Sequence, residues 1–254
     1  MKKLPLFGLF AAALMTVSVA GEAKTLRVAT NATYAPFEFV KSDTGEIVGF
    51  EMDLIRAMAK QAGYDIELQN MDFDGIIPSV MNGMVDVGAA GFAINEKRKQ
   101  KVDFLDPFYK SGLAIIVNKS SEGKIKTIDD LKGKKIAVQM GTIGHDKAKE
   151  IPDAKITAFN QVGEALLELG NQGVDAVINS KPSTAYMLTM QPKIAEKTTI
   201  LPGLLTNNLS AMMVKKGNTE LANELNAALK TLKDNGEYAK IFKKWFGDDT
   251  MWMP

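Results

Sequence analysis

The chain of 254 residues contains no cysteine, one histidine and two tryptophans. Without cysteine there is no disulfide framework, no thiolate metal site, no thiol nucleophile and no sulfur to carry a lipid. A lone histidine, His145, supplies no cluster for zinc or copper, so no metal or other cofactor is expected. Neither sign of charge dominates, since 31 Lys and Arg face 30 Asp and Glu without a basic tract. Such a balance argues against nucleic acid or an anionic membrane as partner. No G-x-x-x-x-G-K-S/T phosphate loop occurs, which excludes ATP hydrolysis by that route.

Long apolar runs are missing beyond the first two dozen residues. There, MKKLPLFGLFAAALMTVSVAGEAK places Lys2 and Lys3 ahead of a short apolar core that ends in small residues. This reads as a signal peptide over residues 1–23, cut after Ala20 or Ala23, and not as a membrane anchor. The expectation is a soluble exported chain, not a lipoprotein, in a Gram-negative periplasm, with monomer as the default state.

What remains alternates short strand-like runs with amphipathic ones. TLRVAT reads as a strand, and GFEMDLIRAMAKQAG as a helix with Met52, Leu54, Ile55, Met58 and Ala59 on one face. YDIELQNM then predicts a strand, DGIIPSVMNG a short helix capped by Asp74, and VDVGAAGF another strand. This order implies parallel strands with crossover helices. The rhythm repeats from LAIIVN through KKIAVQM, GTIGHDKAKEI, KITAF, QVGEALLELGNQG and VDAVIN. NGMVDVGAAG and NQGVDAVINS each place a V-D strand directly after a helix that ends at glycine, which suggests two α/β lobes of similar plan. Two C-terminal helices flank Asp234-Asn235-Gly236, with Leu221, Leu225, Leu229 and Leu232 at helical intervals.

Taken together, TLRVATNATYAPFEF, GEIVGFEMDLIRAMAK, MDFDGIIPSVMNGMVDV, FLDPFYKSG, IDDLKGKKIAVQMGT and LKTLKDNGEYAKIFKKWFG resemble the periplasmic polar amino-acid binding proteins of ABC importers. MDFDGIIP and FYKSG resemble the glutamine-binding members most. The resemblance implies a type II periplasmic binding protein fold, α/β, with two lobes joined by two hinge strands and a ligand cleft between them. Lobe one would hold residues 24–110 and 207–254, lobe two residues 111–206, with hinges near Lys110–Gly112 and Thr206–Asn208. It also implies closure around a small carboxylate-bearing ligand, an ABC permease and its ATPase as partners, and no catalysis.

The same resemblance assigns the site. Arg98 would grip the ligand carboxylate, because its planar guanidinium pairs bidentately where the flanking Lys97 and Lys99 cannot. On residue type alone a solvated arginine in the charged run NEKRKQ is the favoured reading. Gly91 and Thr142 would complete that site through N–H groups and a hydroxyl, with the Ile143 amide beside them. Tyr34 and Phe73 would wall the side-chain pocket. Asn31, Gln139 and Asn179 stand where glutamine-binding relatives carry aspartate, lysine and histidine, so the pocket is expected to be polar, uncharged and unsuited to a cationic side chain. Ser180 stands at the position of an aspartate that holds the α-ammonium, and Ala93 at that of a hydroxyl sharing the task. Either other groups replace them, or the ligand is an acid without an ammonium. A sensory role and an enzyme of the same fold are the other readings; His145, the one candidate acid–base group of its kind, is expected to face solvent.

Overall fold

The computed structural model describes residues 24–247 and Pro254. The predicted signal peptide and residues 248–253 of the tail lie outside the described residues.

Two five-stranded sheets organise the chain. The first is ordered Tyr64–Asn70, Lys24–Thr30, Val87–Gly88, Met213–Lys215, Val102–Phe104. Its first three strands run parallel and the last two join antiparallel. The second, ordered Lys155–Phe159, Lys135–Gln139, Ala176–Ser180, Leu113–Asn118, Thr198–Ile200, repeats that pattern. The paired V-D motifs serve the same purpose in both. Asp86 Oδ2 accepts the Arg27 amide at 2.9 Å and Asp175 Oδ2 accepts the Lys135 amide at 2.8 Å, each at the entry to the neighbouring parallel strand. An aspartate just before a strand thus satisfies a backbone donor that the ladder leaves open.

The chain passes from the first sheet to the second over Tyr109–Ser111 and returns over Asn208–Ser210, and the two passages pair antiparallel. The helix Phe50–Gln61 buries the predicted face, Met52, Leu54, Ile55, Met58 and Ala59, on the first sheet. The C-terminal helices Thr219–Asp234 and Glu237–Phe246 pack on the same side, burying the four predicted leucines. There Phe37, Phe50, Tyr109 and Phe242 form an aromatic cluster with ring centroids 4.7 to 6.1 Å apart. No helix among the described residues is long and apolar enough to cross a membrane.

Two local expectations need correction. Asp72, not Asp74, occupies the N-cap position of the helix Phe73–Met81, without a side-chain cap bond, and Asp74 sits inside the first turn, where its charge still favours the positive helix end. The strand expected over VDVGAAGF shrinks to Val87–Gly88. Gly91 at φ +62° turns the chain out of the extended conformation and toward the interlobe space.

Candidate ligand-binding site

A cavity lies between the two sheets, and all eleven residues singled out from the sequence line it. The first-sheet wall brings Asn31 and Tyr34 from beyond Lys24–Thr30, Phe73 from a helix start, and Gly91, Ala93 and Arg98 from beyond Val87–Gly88. The second wall brings Gln139, Thr142, Ile143, Asn179 and Ser180, all at or beyond the carboxyl ends of two parallel strands. Open α/β sheets place ligands at that end, where backbone leaves the ladder. Ser111, Gly112 and Asn208, from the two passages, also line the cavity and were not foreseen as site residues.

Arg98 points inward while Lys97 and Lys99 stay exposed. Asn95 caps its one-turn helix by accepting the Arg98 amide at 2.8 Å, which sets the direction of the side chain. The guanidinium lies 5.7 and 5.1 Å from the centres of the stacked Phe73 and Phe92 rings. It donates to Ala93 O at 2.8 Å and, across the cleft, to Gly141 O at 3.2 Å. No carboxylate within ion-pair distance neutralises it among the described residues. Burial pulls its pKa down to about 10, with Asp146 opposing, so it stays charged at neutral pH.

Several side chains are already engaged. The Gly91 amide, expected to face a ligand, instead donates to Glu51 Oε2 at 2.6 Å. Thr142 acts as helix cap: its hydroxyl accepts the His145 amide at 3.1 Å and donates to Gln139 O at 2.8 Å. Gln139 spends its amide N–H groups on Asn31 Oδ1, across the cleft, and on Asn160 O, both at 3.0 Å. Asn179 donates to Thr184 Oγ1 at 2.9 Å. Ser180, where the resemblance implies an aspartate, is buried beside the Tyr34 hydroxyl. His145 is half-exposed in a groove outside this cavity, accepting the Gly141 amide on Nδ1 at 3.3 Å. Burial and Lys149 lower its pKa, and Asp146 opposes.

Two residues of the site region escaped the sequence reading. Glu38 and Glu51 are fully buried and face each other, and Glu51 Oε2 accepts the Gly91 amide. Burial, and for Glu38 the charge of its neighbour, raises both pKa values: Glu51 to about 8, Glu38 well above the carboxylate range. The two carboxyls therefore hold at least one proton between them at neutral pH. The available signal was an acid set among apolar and aromatic neighbours in PFEF and GFEM.

Two α/β lobes, a cavity between them and one buried, uncompensated cation in its wall define a two-lobed solute-binding protein. The chain belongs to the bacterial extracellular solute-binding proteins, family 3, whose family model matches residues 26–248. It is 34% identical to the arginine-binding extracellular protein ArtP of Bacillus subtilis (strain 168), over 88% of this chain and 86% of that one. It is 33% identical to a probable histidine-binding protein of Neisseria gonorrhoeae, over 91% and 86%. Among solved structures, an ancestral arginine-binding protein bound to arginine superposes with a TM-score of 0.83 at 40% identity, covering 88% of this chain and 98% of that one. An ancestral arginine-binding protein bound to glutamine gives 0.84 at 39%, covering 89% and 100%. The particular likeness to glutamine-binding members is not supported: the names of these relatives are those of arginine and histidine binders.

Proposed function

We propose that this chain captures a polar L-amino acid with a donor-rich side chain, arginine foremost, in the periplasm after removal of its leader. It would deliver that cargo, as a monomer, to an ABC permease energised by a separate ATPase. The observation that carries the reading is Arg98, a buried cation whose five N–H donors meet two protein carbonyls among the described residues. A buried charge left unpaired is costly, and a carboxylate seated in the cavity supplies the partner.

The side-chain preference follows from which atoms remain unspent. The amide N–H groups of Gln139 and Asn179 donate to protein acceptors, while among the described residues no donor is found on their carbonyl oxygens. A lining with surplus acceptors suits a guanidinium or imidazole more than a carboxamide. That argument replaces the expectation that an uncharged pocket turns cationic side chains away, and the names of the relatives agree with it. The lining contains no aspartate, glutamate or histidine to act as general acid or base, and the named relatives are binding proteins, so no covalent step is assigned.

The test is a thermal-shift screen of ligand-stripped protein against L-amino acids, matched keto acids and dicarboxylates, since a ligand that binds only the folded state raises the melting temperature. Arginine or histidine is expected to give the largest shift. A response confined to acids without an α-ammonium would overturn the amino-acid reading.

A further inference from the structure

Two acids lie directly behind the lining of the cavity. Gly91 forms part of the lining and donates its amide to Glu51. A Cβ at Gly91 would stand 3.0 Å from the Tyr34 ring and 3.8 Å from Glu38 Oε1. One glycine backbone and one tyrosine ring therefore separate the acid pair from the ligand space. The charged and titratable groups that face the pair are few: the two glutamates face each other, Tyr34 feels both of them, and Tyr109 packs on the far side against Phe37 and Phe50. Among the described residues, no Lys, Arg or His contributes to the field at either carboxyl.

A pair of carboxyls shut away from water and from every cation has little reason to ionise while the cavity is empty. A ligand that carries an ammonium or guanidinium changes this, because a cation placed across so thin a wall acts through a low-dielectric medium. We propose that Glu38 and Glu51 are the counter-charge of this site: one carboxyl O–H bond breaks as a cationic nitrogen of the ligand enters, and its proton passes to solvent. The negative charge that the family pattern would put at Ser180 is thereby held one layer deeper, in the first-sheet wall. The inference rests on the amino-acid reading above and assigns the part of the site that recognises positive charge.

Titration calorimetry on the processed wild-type protein, in phosphate and in Tris between pH 6.5 and 8.5, tests it. Enthalpies that differ between buffers count the protons exchanged. Arginine is expected to release up to one proton, with affinity rising by up to about tenfold per pH unit. The isosteric variants Glu38→Gln and Glu51→Gln should lose that release and flatten the pH dependence. Glutamine serves as the arm that carries only an α-ammonium. Release with both ligands assigns the pair to the α-ammonium and release with arginine alone assigns it to the side-chain cation, and either supports the proposal. Tight binding with no proton exchange in the wild-type protein overturns it, and that measurement decides even if the variants fail to fold. Failure of every amino acid to bind the wild-type protein would overturn the parent reading, and this one with it.

Discussion

The two walls of the cavity solve different electrostatic problems. The first-sheet wall buries or backs onto three ionisable groups, Arg98, Glu38 and Glu51, whereas the buried polar residues of the second, Gln139, Asn179, Ser180, Ser183 and Thr184, are amides and hydroxyls. Charged groups cost several kcal/mol each to strip of water, whereas amides and hydroxyls cost far less. If the lobes part to admit a ligand, the wall that stays with the C-terminal helices keeps the expensive groups buried and preorganised. The wall that moves away carries groups that rehydrate cheaply. Charge recognition then belongs to one lobe, and the other acts as a neutral lid.

The comparison breaks first at Arg98. Truncating one member of a buried, hydrogen-bonded charge pair costs about 2–5 kcal/mol, or roughly 30- to several-thousand-fold in affinity. Arg98→Ala is expected to lose binding by that factor in calorimetry while its circular dichroism stays that of the folded protein. Retention of affinity within a few-fold would remove the carboxylate clamp. Next comes the stability of the empty protein. Because the Glu51 carboxyl is raised to about 8, its contribution is fully present below the unfolded value near 4.3 and is lost as pH rises through about 8. Melting should therefore be higher at pH 5 than at pH 8, and Glu51→Gln should flatten the difference, each kcal/mol moving the midpoint by about 2–4 °C. No comparable trend is expected from substitutions of Gln139 or Asn179 in the neutral wall.

Gly141 sharpens the contrast at the seam between the walls. It sits at φ +74°, and a Cβ there would lie 2.9 Å from Asp74 Cβ on the opposite lobe. Gly141→Ala combines a left-handed backbone penalty of about 1–2 kcal/mol with a contact that holds the lobes apart. Affinity should fall about tenfold, and small-angle scattering with saturating ligand should show a larger radius of gyration than wild type. Equal radii would mean that the seam accommodates a methyl group.

How much of this was legible beforehand depends on the range of the interaction. The strands, the main helices and the repeated V-D junction follow from local periodicity and turn residues, which short segments carry by themselves. The gathering of eleven residues around one cavity rests on the order of motifs along the whole chain. The inward turn of Arg98 was not separable from the exposure of Lys97 and Lys99 by residue type. It depends on the Asn95 cap just before it and on the stack of Phe92 with Phe73, which an earlier helix supplies. The Gly91 amide was assigned to the ligand because nothing near it in sequence competes; its acceptor, Glu51, is forty residues away.

The smallest effects test whether the lid closes through its buried amides or through its rim. Gln139 reaches Asn31 across the cleft at 3.0 Å in a buried setting, so Gln139→Ala should cost about 0.5–1.5 kcal/mol, a two- to tenfold loss of affinity. Lys97 and Asp146 also meet across the cleft, but at 3.7 Å and with 72% of the lysine side chain exposed. Pairs of that kind contribute about 0–1 kcal/mol and are screened by salt, so Lys97→Ala should change affinity by less than a few-fold and lose even that difference at high ionic strength. Should the order reverse, with Lys97→Ala the more damaging at low salt, closure would be driven by charge at the rim. The second wall could then no longer be described as a neutral lid.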